Sequence, residues 1–450
     1  MFVSDRRRRT EMEVKMKKVA FLTLGCKVNT YESEAMLKLF EQDGYEEVDF
    51  KSEADVYVVN TCTVTNTGDS KSRQMIRKAI RTNKDATICV VGCYSQVASQ
   101  EVAAIDGVGV VIGTQHRNKI VDYVHEYQET GKPVIDVEDV MKLKKFENLD
   151  LQQFSKNTRA FLKIQDGCNN FCTYCIIPYA RGRMRSREPQ SVLEQAQALV
   201  DHGFVEIVLT GIHTAGYGQD FENYSFYDLL VDLTTKVKGL KRLRISSIEM
   251  SQVTHEIIDL IATSPIIVDH LHIPIQAGCD ETLKRMNRHY TTHEFAVKLK
   301  ELKEKLPSLS ITTDVITGFP GETEEEFEKT YHWIEEMHFN QLHVFPYSRR
   351  KGTPADRMKD QVDGNIKHER VKKLMELSNR LQTEFAAMQI GKELEVLIEE
   401  KQGDYMVGHA SNYLKVKVKL PETSVGHIYK VHIESQEGTE LIGSEVSETY

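Results

Sequence analysis

Three cysteines, Cys168, Cys172 and Cys175, stand as C-x3-C-x2-C in the stretch Asp166-Gly-Cys-Asn-Asn-Phe-Cys-Thr-Tyr-Cys175, directly after the apolar run Phe161-Leu-Lys-Ile164. A zinc site wants four ligands and usually joins one C-x2-C pair to a distant second pair. Three thiolates in one tight loop suit a cubane iron–sulfur cluster better, with one iron left without a protein ligand. An open metal position is where such a site takes a substrate or cofactor. The other reading of the same residues is a zinc knot completed by a distant histidine.

A second trio is dispersed. Cys26, Cys62 and Cys93 each follow a short apolar run: Val19-Ala-Phe-Leu-Thr-Leu24, Asp55-Val-Tyr-Val-Val59 and Ala86-Thr-Ile-Cys-Val-Val91. With Val108-Gly-Val-Val-Ile112 and the intervening helical stretches, these runs read as βαβ units of a parallel sheet. Function in such sheets gathers beyond the carboxyl ends of the strands. The three cysteines should therefore converge, again one ligand short of a closed site. Cys89, inside its strand, reads as core, and Cys279 as an incidental thiol. Asn29 and Glu32 look like a capping pair for a helix running to Phe40, with Gly44 as its stop.

A second alternating series follows a charged connector that contains Met141-Lys-Leu-Lys-Lys-Phe-Glu147. Strand-like runs at Phe161–Ile164, Glu206–Thr210, Arg242–Ser246, His270–Ile275, Ser310–Ile316 and Leu342–Phe345 alternate with helical stretches such as Ser191–Asp201, Tyr227–Val237 and Thr323–Met337. Six βα units fall short of an eight-stranded barrel. An open (β/α)6 barrel is expected, with the Cys168 loop on its active face. A long helix over Asn365–Gln389 leads to short strands at Leu394–Ile398, Tyr413–Leu420 and His427–Ile433, which suggest a small all-β barrel. There, Lys415, Lys417 and Lys419 alternate with valines, so one strand face carries three ammoniums. Such a face could meet a phosphate backbone, or simply protect a solvated edge strand.

The 450 residues allow roughly three domains, and 40% hydrophobic with 28% charged residues describes an ordinary globular chain. No apolar run reaches the ~18 residues of a membrane span and no signal peptide is evident, so no membrane partner is expected. Eight cysteines in such a chain argue for a reducing, cytoplasmic setting and for metal binding over disulfides. A formal charge of −9 does not favour nucleic acid by itself, so any RNA must be met by local basic patches. The expected organisation is a disordered basic extension over 1–16, a first cluster domain over 17–128, a connector over 129–153, the barrel over 154–388 and the β tail over 389–450.

The C-x3-C-x2-C loop resembles the signature of the radical S-adenosylmethionine (SAM) enzymes. Together with the dispersed trio and the β tail, the chain resembles the methylthiotransferases from about Lys17 onward. The words Thr23-Leu-Gly-Cys-Lys-Val-Asn29, Asn60-Thr-Cys-Thr-Val-Thr-Asn-Thr-Gly-Asp69 and Gly92-Cys-Tyr-Ser-Gln96 look like the branch acting on threonylcarbamoyladenosine in tRNA. The words typical of the isopentenyladenosine branch and of the branch modifying a ribosomal-protein aspartate do not match at Cys26-Lys-Val-Asn29.

The resemblance implies a radical SAM [4Fe–4S] cluster on Cys168, Cys172 and Cys175. It implies an auxiliary [4Fe–4S] cluster on Cys26, Cys62 and Cys93, and a C-terminal TRAM domain that binds RNA. The reaction implied is addition of a methylthio group to C2 of N6-threonylcarbamoyladenosine at position 37, beside the anticodon. The first cluster would reduce SAM to a 5′-deoxyadenosyl radical, the second would deliver sulfur, and another SAM would give the methyl. An electron donor such as a flavodoxin or ferredoxin and a sulfur source are implied partners. From a different class, the rival is a zinc-containing RNA-binding protein without catalysis.

Lesser sites follow from the same resemblance. Tyr174 would meet the adenine of SAM through its backbone. Thr210 and Gly211 would contact the SAM amino group, and Ser246 and Glu249 its ribose or amine. Arg181, Arg183, Arg185 and Arg187 place four guanidiniums within seven residues, a phosphate-contacting patch in prospect. The turn Gly318-Phe-Pro-Gly-Glu-Thr323 offers close backbone approach.

Overall fold

A computed structural model describes residues 16–149 and 158–449. The expected basic extension lies outside them up to residue 15, as does the end of the connector. The amino-terminal layer is a six-stranded sheet of β1 (Lys17–Thr23), β2 (Tyr45–Val48), β3 (Val56–Thr61), β4 (Thr87–Gly92), β5 (Val108–Ile112) and β6 (Val134–Asp136), in the order β2-β1-β3-β4-β5-β6. Every pairing is parallel. The central strands β3 and β4 are buried along their whole length, which is why their sequences run apolar without alternation. From β1 the chain goes first to β2 on one side and then to β3 on the other. A crevice therefore opens between β1 and β3, beyond their carboxyl ends.

The second layer has two three-stranded parallel sheets. One is ordered β11-β10-β7 and the other β12-β13-β14, with β7 at Ala160–Lys163, β10 at Glu206–Thr210, β11 at Arg242–Ile245, β12 at His270–His272, β13 at Ser310–Thr317 and β14 at Gln341–Pro346. Single bridges, Leu243 to Ile267 and Ser247 to His272, join them into one open barrel. Period two divides the strands. Leu162, Ile207, Leu209, Leu243, Ile245, Leu271, Ile311 and Leu342 pack outward against helices, and the residues alternating with them turn Lys163, Glu206, Arg244, His270, His272 and His343 inward. The two-residue ribbon of β8 (Gln165–Asp166) and β9 (Arg185–Ser186) brackets the cysteine loop. The expected (β/α)6 architecture is present, and the strands β2 and β6, too short to signal themselves, complete the first sheet.

The tail is a closed barrel of β15 (Glu393–Gln402), β16 (Tyr405–Ala410), β17 (Lys415–Val418), β18 (Ile428–Glu437) and β19 (Glu440–Glu448). It seals the floor of the larger barrel. Tyr413 stacks between His270 and His409, at 4.6 and 5.0 Å, with the Arg244 guanidinium 5.0 Å from its ring. Glu206 accepts from Arg244 Nε at 2.7 Å and lies 3.6 and 4.0 Å from Arg242 and Arg159.

Burial would raise the Glu206 carboxyl, but Arg244, Arg242 and Arg159 hold it down at about 2. Its contribution is thus complete above its ordinary value near 4.5 and is lost as pH falls toward 2. Glu206→Gln leaves buried Arg244 without a carboxylate, while Arg159 keeps Glu399 and Arg242 keeps Glu395, and should cost about 3 kcal/mol of stability. The cost, read by chemical denaturation, should shrink as pH is lowered from 5 toward 3. A variant as stable as the parent at neutral pH would refute the role of this pair.

Candidate active site

Cys26 ends the loop after β1 and occupies the N-cap of α1 (Lys27–Gln42). Cys62 follows β3, and Cys93 opens the short helix Cys93–Val97 after β4. Two glycines make this convergence possible. Gly25 has φ +112°, and a Cβ on it would stand 2.9 Å from Cys62 Cβ. Gly92 has φ +99°, and a Cβ there would fall 2.6 Å from Asn60 Oδ1. Asn29 Nδ2 donates to the carbonyls of Leu24 and Thr61, each at 3.0 Å, tying the first two cysteine loops together. Burial raises the Cys62 thiol and pushes Cys93 up to about 12, and the three sulfurs are close enough to influence one another.

Behind this trio lies a knot of buried charge. Glu32 meets Arg117 at 2.6 Å, Arg181 at 2.7 Å and Lys163 at 2.7 Å. Asp166 meets Lys163 at 2.6 Å and Arg181 at 3.2 Å, and Glu147 receives Arg117 at 2.6 Å. Burial would raise Glu32 and Asp166, yet the surrounding cations hold both far below the usual carboxylate range. Arg181 links the knot to the cysteines, since its Nε donates to Cys93 Sγ at 3.2 Å and its Nη2 to Asn29 Oδ1 at 3.2 Å.

The compact loop is built from the barrel side. Cys168 N donates to Gly182 O at 3.1 Å, Cys175 N to Cys172 O at 2.9 Å, and Thr173 N to Met286 O at 3.0 Å. Burial raises Cys168 to about 11 and Cys175 to about 12. Arg288 Nη1 donates to Cys172 Sγ at 3.4 Å while its Nη2 pairs with Glu249. Each trio thus has one sulfur facing a guanidinium that a carboxylate also holds.

Two cavities adjoin these loops. One, of about 270 Å³, lies between the layers and is lined by Val64 and Thr65 after Cys62, by Tyr174, Cys175 and Ile176, and by Phe345 and Tyr347 among others. The other, of about 260 Å³, is polar and is lined by Cys172, His213, Glu249, Gln252, Asn287 and Arg288 among others. The ring nitrogens of His213 and the Oε1 of Gln252 are buried there with no well-formed hydrogen bond except what these two side chains can offer each other. Buried polar atoms with so little satisfied bonding suit a polar ligand in the recess.

Several expected site residues are relocated. Arg181, Arg185 and Arg187 are 0–3% exposed, so they form no phosphate patch. Arg185 donates to the carbonyls of Arg181 and Arg183, and Arg187 to Ser191 and Gln195. Only Arg183 is exposed, lying over the Phe171 ring. Lys415, Lys417 and Lys419 do share a face, but Lys415 and Lys417 are tied to Glu440 at 2.7 and 2.6 Å and Lys419 lies over Tyr405. That platform is largely neutralised.

Tyr174 lines the inter-layer cavity and packs edge-on against Phe319. Thr210 and Gly211 end β10, where Thr210 O accepts from Ile164 N. Ser246 Oγ is buried and unpartnered. Gly318 in its turn donates to Glu322, which Arg370 also holds, a structural arrangement. Asn29 and Glu32 are not a capping pair, for both are buried and α1 starts earlier, at Lys27. Glu32, His213, Gln252 and Arg288 were missed as site residues; Asp166, one residue from the cysteine loop, was the available hint.

Among the described residues, no three His, Cys, Asp or Glu side chains gather around a single point as one metal ion requires. A cubane asks for something else, because each thiolate binds a different corner. Guanidinium N–H groups directed at Cys93 and Cys172 suit sulfurs carrying the negative charge of a cluster-bound thiolate.

Residues 162–334 match the radical SAM superfamily, and residues 18–113 match uncharacterized protein family UPF0004. The chain is 56% identical to threonylcarbamoyladenosine tRNA methylthiotransferase MtaB of Bacillus subtilis (strain 168), over 93% of this chain and 94% of that protein. It is 40% identical to the enzyme of the same name from Aquifex aeolicus (strain VF5), over 85% and 93% respectively. Its fold is similar to that of the radical SAM methyltransferase TsrM from Kitasatospora setae, with a TM-score of 0.56 at 15% identity, covering 76% of this chain and 77% of that one.

Removing a cationic donor from a cluster sulfur disfavours the more negative, reduced state. In reconstituted protein, Arg288→Gln should lower the potential of the cluster on the Cys168 loop and leave the other unchanged, with Arg181→Gln doing the reverse. Potentiometric titration followed by electron paramagnetic resonance reads both. Potentials unmoved in either variant would show that these contacts do not tune the sulfurs.

Proposed function

The chain belongs to the radical SAM methylthiotransferases, and from that premise we propose that it transfers a methylthio group to C2 of N6-threonylcarbamoyladenosine at position 37 of tRNA. The observation that carries this reading is the apolar cavity between the two cysteine trios, lined on one side by residues following Cys62 and on the other by Tyr174, Cys175 and Ile176. An adenine held there lies between both sites at once. Cys168, Cys172 and Cys175 are the residues to hold the radical SAM [4Fe–4S] cluster, and Cys26, Cys62 and Cys93 the auxiliary one. Bound there, clusters and SAM supply the electron transfer, hydrogen abstraction and group donation that no side-chain acid or base can direct at an aromatic C–H.

The chain's own residues bind and orient. Arg288 and Glu249, fixed by each other, flank the polar recess next to Cys172, where SAM would lie with His213 and Gln252 as its hydrogen-bonding partners. Ser246, at the end of β11, and Thr210 and Gly211, at the end of β10, complete its surroundings. Tyr174 walls the adenine cavity, and the flat faces of Phe345 and Tyr347 suit a stacked base.

Lys27, next to Cys26, supports the choice of base. Burial, with Arg159 and Arg244 nearby, lowers Lys27 to about 8, which leaves it a cation at neutral pH within reach of the barrel's charges. Among the described residues it has no hydrogen-bond or ion-pair partner. The threonylcarbamoyl arm ends in a carboxylate and matches such a cation. An isopentenyl arm carries no charge to match.

The functional division we infer is an auxiliary-cluster domain over 17–136, longer than the expected 17–128 because β6 completes its sheet, a radical SAM domain over 154–388 and a TRAM domain over 389–450, with 137–153 as connector. A flavodoxin or ferredoxin would supply electrons, and a separate donor the sulfur. No helix among the described residues is long and apolar enough to cross a membrane, and a cytoplasmic location accords with a tRNA substrate.

Mass spectrometry of tRNA nucleosides tests the reading. Cells lacking the gene should lose the methylthio form and accumulate threonylcarbamoyladenosine; an unchanged nucleoside profile would overturn it. In the purified enzyme, Cys172→Ala should abolish SAM cleavage, whereas Cys62→Ala should retain some cleavage and insert no sulfur. Lys27→Gln should reduce methylthiolation of threonylcarbamoyladenosine tRNA by roughly tenfold, about the worth of one charge-assisted contact, with SAM cleavage preserved. Full activity in that variant would remove Lys27 from substrate recognition.

A further inference from the structure

The helix α2 (Asn66–Thr82) carries Lys71, Arg73, Arg77, Lys78 and Arg81 against the single acid Asp69, in a chain whose formal net charge is −9. Its inward face is Ser72, Ile76 and Ala79. At 3.6 residues per turn the basic residues fall on the opposite arc. Lys71, Arg77 and Arg81 are exposed. Among the described residues, Lys71, Arg77, Lys78 and Arg81 form no ion pair and no side-chain hydrogen bond. Asp69, the one acid, is taken up by Arg350 at 2.7 Å. Helices with surface charges usually answer them with opposite charges at i+3 or i+4, and this one does not.

The position of α2 matters as much as its charge. Its first turn adjoins the mouth of the inter-layer cavity, where Val64 and Thr65 form part of the lining. Asn66 N donates to Ser348 Oγ at 3.0 Å, and Arg350 donates to Asn66 Oδ1 at 2.7 Å and to Thr63 Oγ1 at 2.6 Å. These bonds fix the start of α2 to the barrel rim. From Lys71 to Arg81 the helix then runs outward for about 15 Å, alongside several phosphates at ~3.4 Å of axis per residue of one strand. The lysine face of the tail, by contrast, is largely neutralised by Glu440.

We propose that the exposed face of α2 is a tRNA-backbone track. It guides the strand that flanks the modified adenosine away from the cavity mouth, and it supplies the greater part of the electrostatic attraction. This rests on the tRNA-substrate reading above and adds the surface that holds the substrate. Arg77 and Arg81 contact phosphates one helical turn apart, Lys71 and Lys78 their neighbours, and none of them touches a base.

The test uses the full-length reconstituted enzyme and a tRNA bearing threonylcarbamoyladenosine, with binding measured between 50 and 200 mM salt. Replacing Lys71, Arg77 and Arg81 together by Gln should weaken binding at least tenfold. It should also make the slope of log affinity against log salt shallower by about 2 to 3. SAM cleavage without tRNA and iron content should stay at parental values, and a Lys71→Arg, Arg77→Lys, Arg81→Lys variant should bind as the parent does. Parental affinity and slope in the Gln variant overturn the proposal. So does unchanged tRNA binding with slowed reduction by flavodoxin, which would make α2 a docking face for an acidic protein. A parent enzyme that fails to methylthiolate this tRNA at all would instead count against the substrate reading.

Discussion

The arrangement depends on a small body of buried charge shared by two layers of the protein. Glu32 comes from the amino-terminal layer, and Lys163, Asp166 and Arg181 from the barrel. Arg117 joins Glu32 to Glu147. Removing so many charges from water is costly, and buried ion pairs do not as a rule exceed what an apolar contact would contribute. Here they do what an apolar contact cannot, because their geometry is directional. Arg181 reaches Glu32, Asp166, Asn29 and Cys93 at once, so the orientation of one layer on the other is coupled to the position of a cysteine sulfur. If the layers slid apart, several partners would be lost together.

That coupling also suits the chemistry of the thiols. Burial holds Cys93, Cys168 and Cys175 at about 12, 11 and 12, so each is protonated near neutrality and must release a proton to bind iron. The guanidiniums of Arg181 and Arg288 stand where the resulting negative charge would appear. Each is itself pinned by carboxylates, Glu32 and Asp166 in one case and Glu249 in the other. Donors held in this way need little reorganisation when charge develops on the sulfurs.

Much of this is legible in the sequence, and the illegible part has a common cause. The six cysteines, the strand ends that carry them and the open barrel all follow from local periodicity and spacing, as does the small β-barrel. Sequence alone misassigns Asn29 and Glu32 as a helix cap and Arg181, Arg185 and Arg187 as a phosphate patch. In each case the true partner is remote: Arg181 and Glu32 are separated by 149 residues. Period and composition report which face of an element is wet, but a charged residue that is buried against a distant opposite charge carries the same local signature as a solvated one. The lysines of β17 fail for a related reason, since Glu440, on the adjacent β19, answers them from the neighbouring strand.

The same contrast bears on where an RNA could lie. A cation contributes to phosphate binding only if it is not already committed, because displacing an internal partner returns most of the gain. By that criterion Arg181, Arg185 and Arg187 of the arginine run after the cysteine loop drop out, and so do Lys415 and Lys417. Uncommitted cations lie on α2, outside the cavity, and at Lys27, beside Cys26. On the proposed reading, an anionic backbone and an anionic substituent on the base are thus met by separate charges, and the apolar slot has only to hold a flat ring.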